Sequence, residues 1–263
     1  MQFIVQGYPA YAYTGGRAFD PARPAVVLVH GAAFDHSVWQ WQSRYLANHG
    51  FTVLAADLPG HGRSPGNARR TIAGYADWVA ELIEAATLPR AALVGHSMGS
   101  LVALDAALRF PQRVAKLALI GTSVPMPVGE PFLAAARDDA PAAFDMEVVW
   151  GHARGAALAT SPVPGLSLLG ASRGINGRAH AGVLHGDLAA CHAYAPSAEA
   201  LSGLKMPTLV LAGRRDQMTP MKAGKALAAQ IPGARFEVLD AGHSMMTEAP
   251  RATLGALRRF LAD

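Results

Sequence analysis

The residue best suited to chemistry in this chain is a serine between two glycines, in the pentapeptide Gly95-His96-Ser97-Met98-Gly99. The apolar run 91–94 before it is typical of a buried strand, and residues 100–109 after it have a helical pattern. A serine on such a sharp strand-to-helix turn is exposed and strained, and its flanking glycines let neighbouring backbone come close. The N-terminus of the following helix also favours negative charge near the hydroxyl. These features predict that Ser97 is a nucleophile.

A serine hydroxyl needs a base to remove its proton, and the base needs a third group to orient it. Residues 207–213 and 236–240 have the apolar character of strands, with Asp216 following the first and His243 the second. Taken singly, the aspartate could be a turn former and the histidine a surface residue. Parallel strands, however, bring the residues at their carboxyl ends to one edge of the sheet. The sequence therefore predicts a catalytic triad of Ser97, His243 as base and Asp216 as acid.

Strands and helices alternate through both ends of the chain, which predicts parallel βαβ units and a doubly wound sheet. Residues 2–20 are expected to form an antiparallel hairpin on the sheet edge. After residue 120 the alternation stops, and prolines separate helical pieces at 131–138, 141–152 and 178–194. A structureless loop of this length is implausible in a compact domain. We therefore expect a small helical cap inserted after the sixth strand.

Four further motifs give the chain a resemblance to the α/β-hydrolase superfamily of serine-dependent enzymes. They are the run into a possible oxyanion loop at 26–31, the D-x-P-G-x-G-x-S loop at 57–64, the G-x-x-D turn at 213–216 and the G-H-x-x-x-x-E-x-P stretch at 242–250. The order serine, aspartate, histidine is also that of the family's triad. The resemblance covers about residues 20–125 and 200–263.

The resemblance implies an α/β fold with a mostly parallel eight-stranded sheet flanked by helices. Residues 1–124 and 201–263 would form the α/β-hydrolase core domain, and residues 125–200 the helical cap. Apolar side chains of the cap would either roof the site or form the cap's own core, and the sequence does not separate these alternatives. As substrate-contacting residues we expect Ala33, Met126, Met146 and Trp150.

Acyl transfer passes through a tetrahedral oxyanion, which needs preorganised N–H donors. One expected donor is the backbone N–H of Met98, directly after the nucleophile. The family's habit implies that Ala32 supplies the second, with Ala33 as the fallback. This chemistry requires no cofactor and no metal.

The resemblance implies a serine hydrolase that cleaves a carboxylic ester or lactone of a small, largely apolar substrate through an acyl-enzyme. A serine nucleophile argues against haloalkane dehalogenases and epoxide hydrolases, which use aspartate. C–C bond hydrolases of the same fold stay an alternative, although His96 and Ser244 stand where they tend to have Asn and Trp, which counts against that class. Enol-lactonases and cofactor-free haloperoxidases share the triad and stay open, as does a hydrolase-fold ligand receptor with slow turnover. The natural substrate, the acyl-chain preference and the choice between monomer and homodimer are left undetermined.

Composition limits the partners. The chain has 263 residues, of which 51% are hydrophobic and 16% charged, as expected for one globular α/β domain with an insertion. The net charge of +4 comes from scattered basic residues, so we expect no nucleic-acid partner. The ten histidines include no metal-binding pattern, and His152, His180, His185 and His192 are expected on the polar surface.

No apolar run reaches the roughly 18–20 residues that span a bilayer, so we expect no membrane association. The N-terminal residues do not resemble a signal peptide. The single cysteine, Cys191, cannot form an internal disulfide and is expected to be a buried packing thiol. A cytoplasmic location is therefore predicted.

Overall fold

The structure is a computed structural model that describes residues 1–138, 141–156 and 165–262. Eight strands form one sheet in the spatial order β1-β2-β4-β3-β5-β6-β7-β8. The strands are β1 (Gln2–Val5), β2 (Tyr8–Tyr13), β3 (Ala25–Val29), β4 (Thr52–Ala56), β5 (Ala91–His96), β6 (Val114–Ile120), β7 (Thr208–Gly213) and β8 (Arg235–Leu239).

The sheet is mixed but mostly parallel, as predicted. β1 and β2 form the expected antiparallel hairpin at one edge, and β2 pairs antiparallel with β4. All pairs from β4 across to β8 are parallel. Strands β3, β4, β5 and β7 are buried along their whole length, because helices cover both faces of the sheet.

The helices connect and cover the strands. Their bounds are α1 (Gln40–Asn48), α2 (Ile72–Ala85), α3 (Met98–Arg109), α4 (Glu130–Arg137), α5 (Pro141–Trp150), α6 (Leu168–Asn176), α7 (Val183–Ala193), α8 (Ala198–Ser202), α9 (Met221–Gln230), α10 (Met245–Glu248) and α11 (Pro250–Ala262), with short 3₁₀ helices at His36–Trp39 and Pro111–Arg113. Local sequence explains many of these bounds. The Thr71 hydroxyl, for example, caps α2 by accepting a hydrogen bond from the Gly74 N–H at 3.0 Å.

The alternation of side chains along the strands builds two apolar clusters, one on each face of the sheet. Val27 and Val29 of β3 belong to a cluster that includes buried residues of α2 and α3. Val26 and Leu28 of the same strand belong to the other, with α1 and α11. This two-sided burial fixes the register of the central strands, because a slip of one residue would exchange the two faces.

Helices α4 to α7 are inserted between β6 and β7, which confirms the helical insertion, and we call it the cap. The predicted helix 178–194 begins only at Val183, because Gly182 before it has left-handed backbone with φ of 77°. Helices α6 and α8 were not predicted. Pro162 and Pro164 are two of the prolines that interrupt the helical pattern of this segment in the sequence, and they lie outside the described residues. The boundaries 125 and 200 stay a prediction. Within the described residues, no helix has the length and apolar character needed to cross a membrane.

Candidate active site

Ser97 occupies a strained turn between β5 and α3. Its φ of 53° and ψ of −124° are unusual for a residue with a side chain. A Cβ atom on Gly95 would lie 2.0 Å from the carbonyl oxygen of Gly99, and one on Gly99 would lie 2.3 Å from that of Val29. Both positions therefore require glycine. The Ser97 N–H donates to the Ile120 carbonyl at 2.9 Å, which anchors the turn to β6.

Asp216 and His243 meet at the carboxyl ends of β7 and β8. The Nδ1 atom of His243 lies 2.8 Å from Oδ2 of Asp216, and both residues are buried. Asp216 also accepts hydrogen bonds from the backbone N–H groups of Met218 and Thr219 and, at 2.7 Å, from the Thr219 hydroxyl. Burial raises the pKa of Asp216, but the charge and hydrogen bond of His243 and the bonds of Thr219 outweigh it, so the pKa is lowered. An ionised Asp216 keeps the His243 proton on Nδ1 and leaves a lone pair on Nε2.

The free ring nitrogen of His243 and the side chain of Ser97 belong to one cavity. Nε2 of His243 is buried and has no hydrogen-bond partner among the described residues. Ser97 and His243 both line the same pocket, which has a volume of about 300 Å³. The structure thus brings together all three residues of the predicted triad. Their catalytic roles are taken up as a proposal below.

Two other candidate groups of the pocket, His96 and Cys191, are poorly suited to act as base or nucleophile. His96 is fully buried, with Nε2 3.0 Å from the His243 carbonyl oxygen, and burial followed by the His243 charge lowers its pKa to about 3. A neutral, anchored His96 fits a structural role. Cys191 also lines the pocket, but burial and then the charge of Asp187 raise the pKa of its thiol well above the ordinary value. A thiol held protonated is a poor nucleophile.

The structure separates the two alanines proposed for the oxyanion loop. Ala32 lines the pocket, whereas Ala33 does not. The Ala33 N–H instead donates to Oδ2 of Asp187 at 3.0 Å, so it serves neither as a fallback donor nor as a pocket residue. Met98 is the first residue of α3, where a backbone N–H has no partner within the helix. Ala32 and Met98 are therefore in suitable positions, and their function as donors stays a prediction.

The cap wall of the pocket contains only part of the expected set. Met126 and Trp150 line the cavity, and the Trp150 ring packs edge-on against Phe132 with ring centres 5.5 Å apart. Met146 is not part of the lining; it is partly buried against the main apolar cluster. The expectation of a substrate contact at Met146 is thus not supported by its position.

The sequence reasoning missed the polar groups of the cap wall, which are Glu147, His152 and Ser172. His152 was expected on the surface but is only 2% exposed. Its Nδ1 lies 2.8 Å from the Val148 carbonyl oxygen and its Nε2 lies 3.3 Å from the Ser172 hydroxyl. A signal for Glu147 was present, because the acid stands in an apolar helix with no basic residue three or four positions away.

Asp187, which was also missed, joins the cap to the core. This α7 carboxylate is fully buried and accepts hydrogen bonds from the Tyr75 hydroxyl at 2.7 Å, the His61 Nε2 at 2.8 Å and the Ala33 N–H at 3.0 Å. Burial lowers the pKa of His61, but the charge and hydrogen bond of Asp187 outweigh this and raise it. The carboxylate thereby fixes the Ala33 peptide, which has an unfavourable φ of 52°. Its sequence signal was an acid within the apolar stripe of α7.

Glu248 gives a physical reason for the acid in the G-H-x-x-x-x-E-x-P stretch. Its Oε1 accepts a hydrogen bond from the Gly242 N–H at 3.1 Å, and its Oε2 accepts one from the Ala153 N–H at 3.0 Å. The Ser244 N–H also donates to the Gly151 carbonyl at 2.8 Å. The loop that presents His243 is thus held against the chain that follows α5.

One group of possible metal ligands occurs among the described residues. Ligand atoms of Asp35, His36 and Asp57 lie within 4.8 Å of one another. Oδ1 of Asp57, however, binds both the backbone N–H and the ring of His36, and Asp35 pairs with Arg178 at 2.6 Å. Hydrogen bonds and an ion pair therefore occupy these atoms. The absence of a required metal or cofactor stays a prediction.

The fold is that of an alpha/beta hydrolase. The sequence matches the alpha/beta hydrolase family over residues 26–256, and the chain belongs to that family. A pimeloyl-[acyl-carrier protein] methyl ester esterase from Aromatoleum aromaticum is 34% identical over 248 residues, covering 87% of this chain and 94% of that protein. The crystal structure of the enol-lactonase from Burkholderia xenovorans LB400 superposes with a TM-score of 0.88 at 26% identity, covering 100% of both chains.

Other relatives match over a shorter segment. Three proteins of uncharacterised function from Mycobacterium bovis and Mycobacterium tuberculosis are 39% identical over 98 residues. That segment is 37% of this chain and 28% of each mycobacterial protein.

Proposed function

We propose that this protein is a serine hydrolase that cleaves a carboxylic ester or lactone of a small, largely apolar substrate through an acyl-enzyme intermediate. The observation that carries this proposal is the 2.8 Å contact between His243 Nδ1 and Asp216 Oδ2. It leaves His243 Nε2 without a partner among the described residues, in the pocket that Ser97 also lines. A buried, oriented base beside a strained serine is the arrangement that nucleophilic acyl transfer needs.

The reaction would proceed in two halves. His243 takes the hydroxyl proton while Oγ of Ser97 bonds to the substrate carbonyl carbon, and the resulting oxyanion accepts hydrogen bonds from the N–H groups of Ala32 and Met98. The C–O bond to the leaving alcohol then breaks as the protonated His243 donates its proton to that oxygen. Water, activated by the same histidine, cleaves the acyl-enzyme, so no cofactor enters. Asp216 stabilises the imidazolium throughout.

Two findings bear on the substrate class. A cavity of about 300 Å³ suits a small molecule. The similarity to a methyl ester esterase, and in structure to an enol-lactonase, supports an ester or a lactone as the substrate. The lactone is the second candidate, and the close superposition on the enol-lactonase favours it specifically.

Replacement of Ser97 tests the proposal most directly. The rate constant kcat for p-nitrophenyl esters should fall on the order of 10⁴–10⁶-fold in Ser97→Ala. A fluorophosphonate should label the wild-type protein once, on the peptide containing Ser97, whatever the natural substrate is. Ser202→Ala, an exposed serine outside the pocket, is the matched control and should behave as wild type.

Near wild-type turnover by Ser97→Ala would exclude a serine hydrolase. Labelling of Ser97 without turnover of any ester or lactone would instead favour the ligand receptor of the same fold.

A further inference from the structure

A carboxyl group that the proposed reaction does not use faces the pocket from the cap. Glu147 of α5 lines the cavity that contains Ser97, and only 7% of the residue is exposed. Its Oε2 accepts a hydrogen bond from Nδ2 of Asn176 at 3.0 Å. Its Oε1 has no hydrogen-bond partner among the described residues. One oxygen of this buried carboxyl is therefore left for a molecule in the pocket.

The surroundings hold Glu147 in its protonated form. Burial, and then the negative charge of Asp187 on α7, raise its pKa to about 8. His96, His152, Cys191 and His243 are the other titratable groups of the described pocket lining, and no Lys or Arg is among them. Because Oε2 is the acceptor of the Asn176 bond, the proton belongs on Oε1. At neutral pH the cap wall then presents an O–H donor to the cavity.

The pair of Glu147 and Asn176 is incompletely satisfied for a purely structural network. Asn176 is 1% exposed, and its Oδ1 is buried without a hydrogen-bond partner among the described residues. A buried carboxyl without a cation and a buried amide with an unused oxygen both destabilise a fold. An apolar side chain in place of Glu147 would avoid this loss of stability. Asn176 does not line the pocket but Glu147 does, so the unmet hydrogen-bonding capacity of the Glu147 carboxyl points to a ligand there.

The neighbouring polar groups are also neutral. Nδ1 of His152 lies 2.8 Å from a carbonyl oxygen, so it carries the proton, and Nε2 is left to accept from the Ser172 hydroxyl. Burial lowers the pKa of His152, which favours this uncharged form. The cap wall thus offers hydrogen bonds and no positive charge. A substrate carboxylate placed here would lose its hydration without gaining a positively charged partner.

We propose that Glu147, backed by Asn176, is the specificity site for an uncharged acyl group that carries a second oxygen acceptor, such as a ketone, beyond the scissile carbonyl. Substrates whose acyl group ends in a free carboxylate are excluded. This inference rests on the proposed ester or lactone hydrolysis, because it names the substrate class of that same pocket.

The test uses matched p-nitrophenyl esters. A series with a ketone at C4, C5 or C6 of the acyl chain is compared with the alkyl parents and with esters that end in a carboxylate at the same length. The measured quantity is the ratio of kcat/KM for each pair, corrected for the hydroxide-catalysed rates. In the wild type, kcat/KM for at least one oxo ester should be about 10-fold higher than for its alkyl parent. For the esters that end in a carboxylate, kcat/KM should be about 100-fold or more below that of the alkyl parent.

Two substitutions separate hydrogen bonding from packing. Glu147→Leu should reduce the oxo preference to about 1, whereas Glu147→Gln keeps a donor and should retain most of it. Glu130→Gln, an exposed acid on α4 paired with Arg137, is the control and should keep the wild-type ratio. The wild-type ratio should decline as pH rises through about 8 and Glu147 ionises, while that of Glu147→Gln stays flat. A ratio of kcat/KM for two substrates cancels any pH dependence that the two reactions share.

The result overturns the inference if the wild type shows no oxo preference, if Glu147→Leu retains it, or if carboxylate esters react as fast as neutral ones. Should the leucine variant fail to fold, the glutamine variant and the pH profile give the same decision. If alkyl esters are hydrolysed but the ratio of kcat/KM for oxo and alkyl esters is the same in Glu147→Leu as in the wild type, only the role of Glu147 is refuted. Failure to hydrolyse any ester or lactone refutes the proposed function itself, and this inference with it.

Discussion

Loss of the Asp187 carboxylate should destabilise this protein more than loss of an exposed acid on the same cap. Asp187 is fully buried and accepts three hydrogen bonds, from Tyr75, His61 and Ala33. Asp187→Ala would leave three buried donors without their acceptor. A buried acceptor that carries charge contributes about 1.5 kcal/mol or more per bond, and breaking a buried ion pair costs about 3–5 kcal/mol. We therefore expect the free energy of unfolding to fall by about 3–5 kcal/mol.

Urea denaturation followed by circular dichroism measures this change, and the thermal midpoint should fall by roughly 6–20 °C. The matched control is Asp145→Ala, which removes an exposed ion pair with Arg173 on the cap surface and should cost at most about 1 kcal/mol. If Asp187→Ala does not fold, Asp187→Asn keeps the shape, loses the charge and should still be destabilised.

The pH dependence gives a second check. The pKa of His61 is raised in the folded state, so its stabilisation by Asp187 is fully present below the ordinary pKa of histidine and declines as pH rises through the raised value. The difference between wild type and Asp187→Ala should accordingly be larger at pH 6 than at pH 9. This prediction is refuted if the free energy of unfolding of Asp187→Ala at pH 6 is within about 1 kcal/mol of wild type and equal to that of Asp145→Ala. This buried cluster would then not hold the cap to the core.

Three further outcomes follow from the site. Asp216→Asn should lower kcat on the order of 10⁴-fold, since an amide favours the wrong histidine tautomer, while Asp240→Asn at an exposed strand end should react as wild type. Trp150→Ala should shift the ratio of kcat/KM for long and short esters by ~1–3 kcal/mol, whereas Val149→Ala, an adjacent exposed residue, should not. Glu147→Gln should stabilise the fold by up to roughly 3–5 kcal/mol at pH 8 and little below pH 4.5. The reason is that the raised pKa of Glu147 lowers the stability of the wild type progressively between those pH values. Denaturant unfolding at both pH values measures this difference. Equal losses of kcat in Asp216→Asn and Asp240→Asn would contradict the role of Asp216, and equal shifts in Trp150→Ala and Val149→Ala would contradict that of Trp150. A gain in stability of Glu147→Gln that does not depend on pH would contradict the raised pKa of Glu147.

The core of the site could be predicted because its positions follow from strand order. Ser97, Asp216 and His243 each stand just after a parallel strand, and the sheet brings those ends to one edge. The hairpin, the strained turn and the helical insertion were predicted for similar local reasons. The predictions for the oxyanion loop, which rested only on the resemblance to the family, were less complete. Ala32 lines the pocket as expected, but the Ala33 N–H bonds to a residue 154 positions away, which no local pattern indicates.

The cap wall could not be predicted because it depends on how short helices dock. Met146 and Trp150 are four residues apart, so they share a face of α5 and lie about 6 Å apart along its axis. Of these two residues only Trp150 lines the cavity, because the Met146 side chain packs against the main apolar cluster instead. Glu147 and Asp187 were missed because acids are rarely found fully buried. Both interrupt apolar helix faces, and that interruption was the available signal.

Two of the links between cap and core, those of Glu248 and Asp187, differ in how freely the cap could be exchanged between related proteins. The bond from Glu248 requires only a backbone N–H at Ala153, which every residue except proline supplies. A transplanted cap of another sequence would preserve that link. Asp187, by contrast, needs His61 and Tyr75 opposite it. A cap without this aspartate would leave three buried donors of the recipient unmatched, because the Ala33 N–H would lose its acceptor as well. Evolutionary recombination or engineered grafting at this insertion is therefore expected to succeed only when these three side chains are inherited, or replaced, as one set.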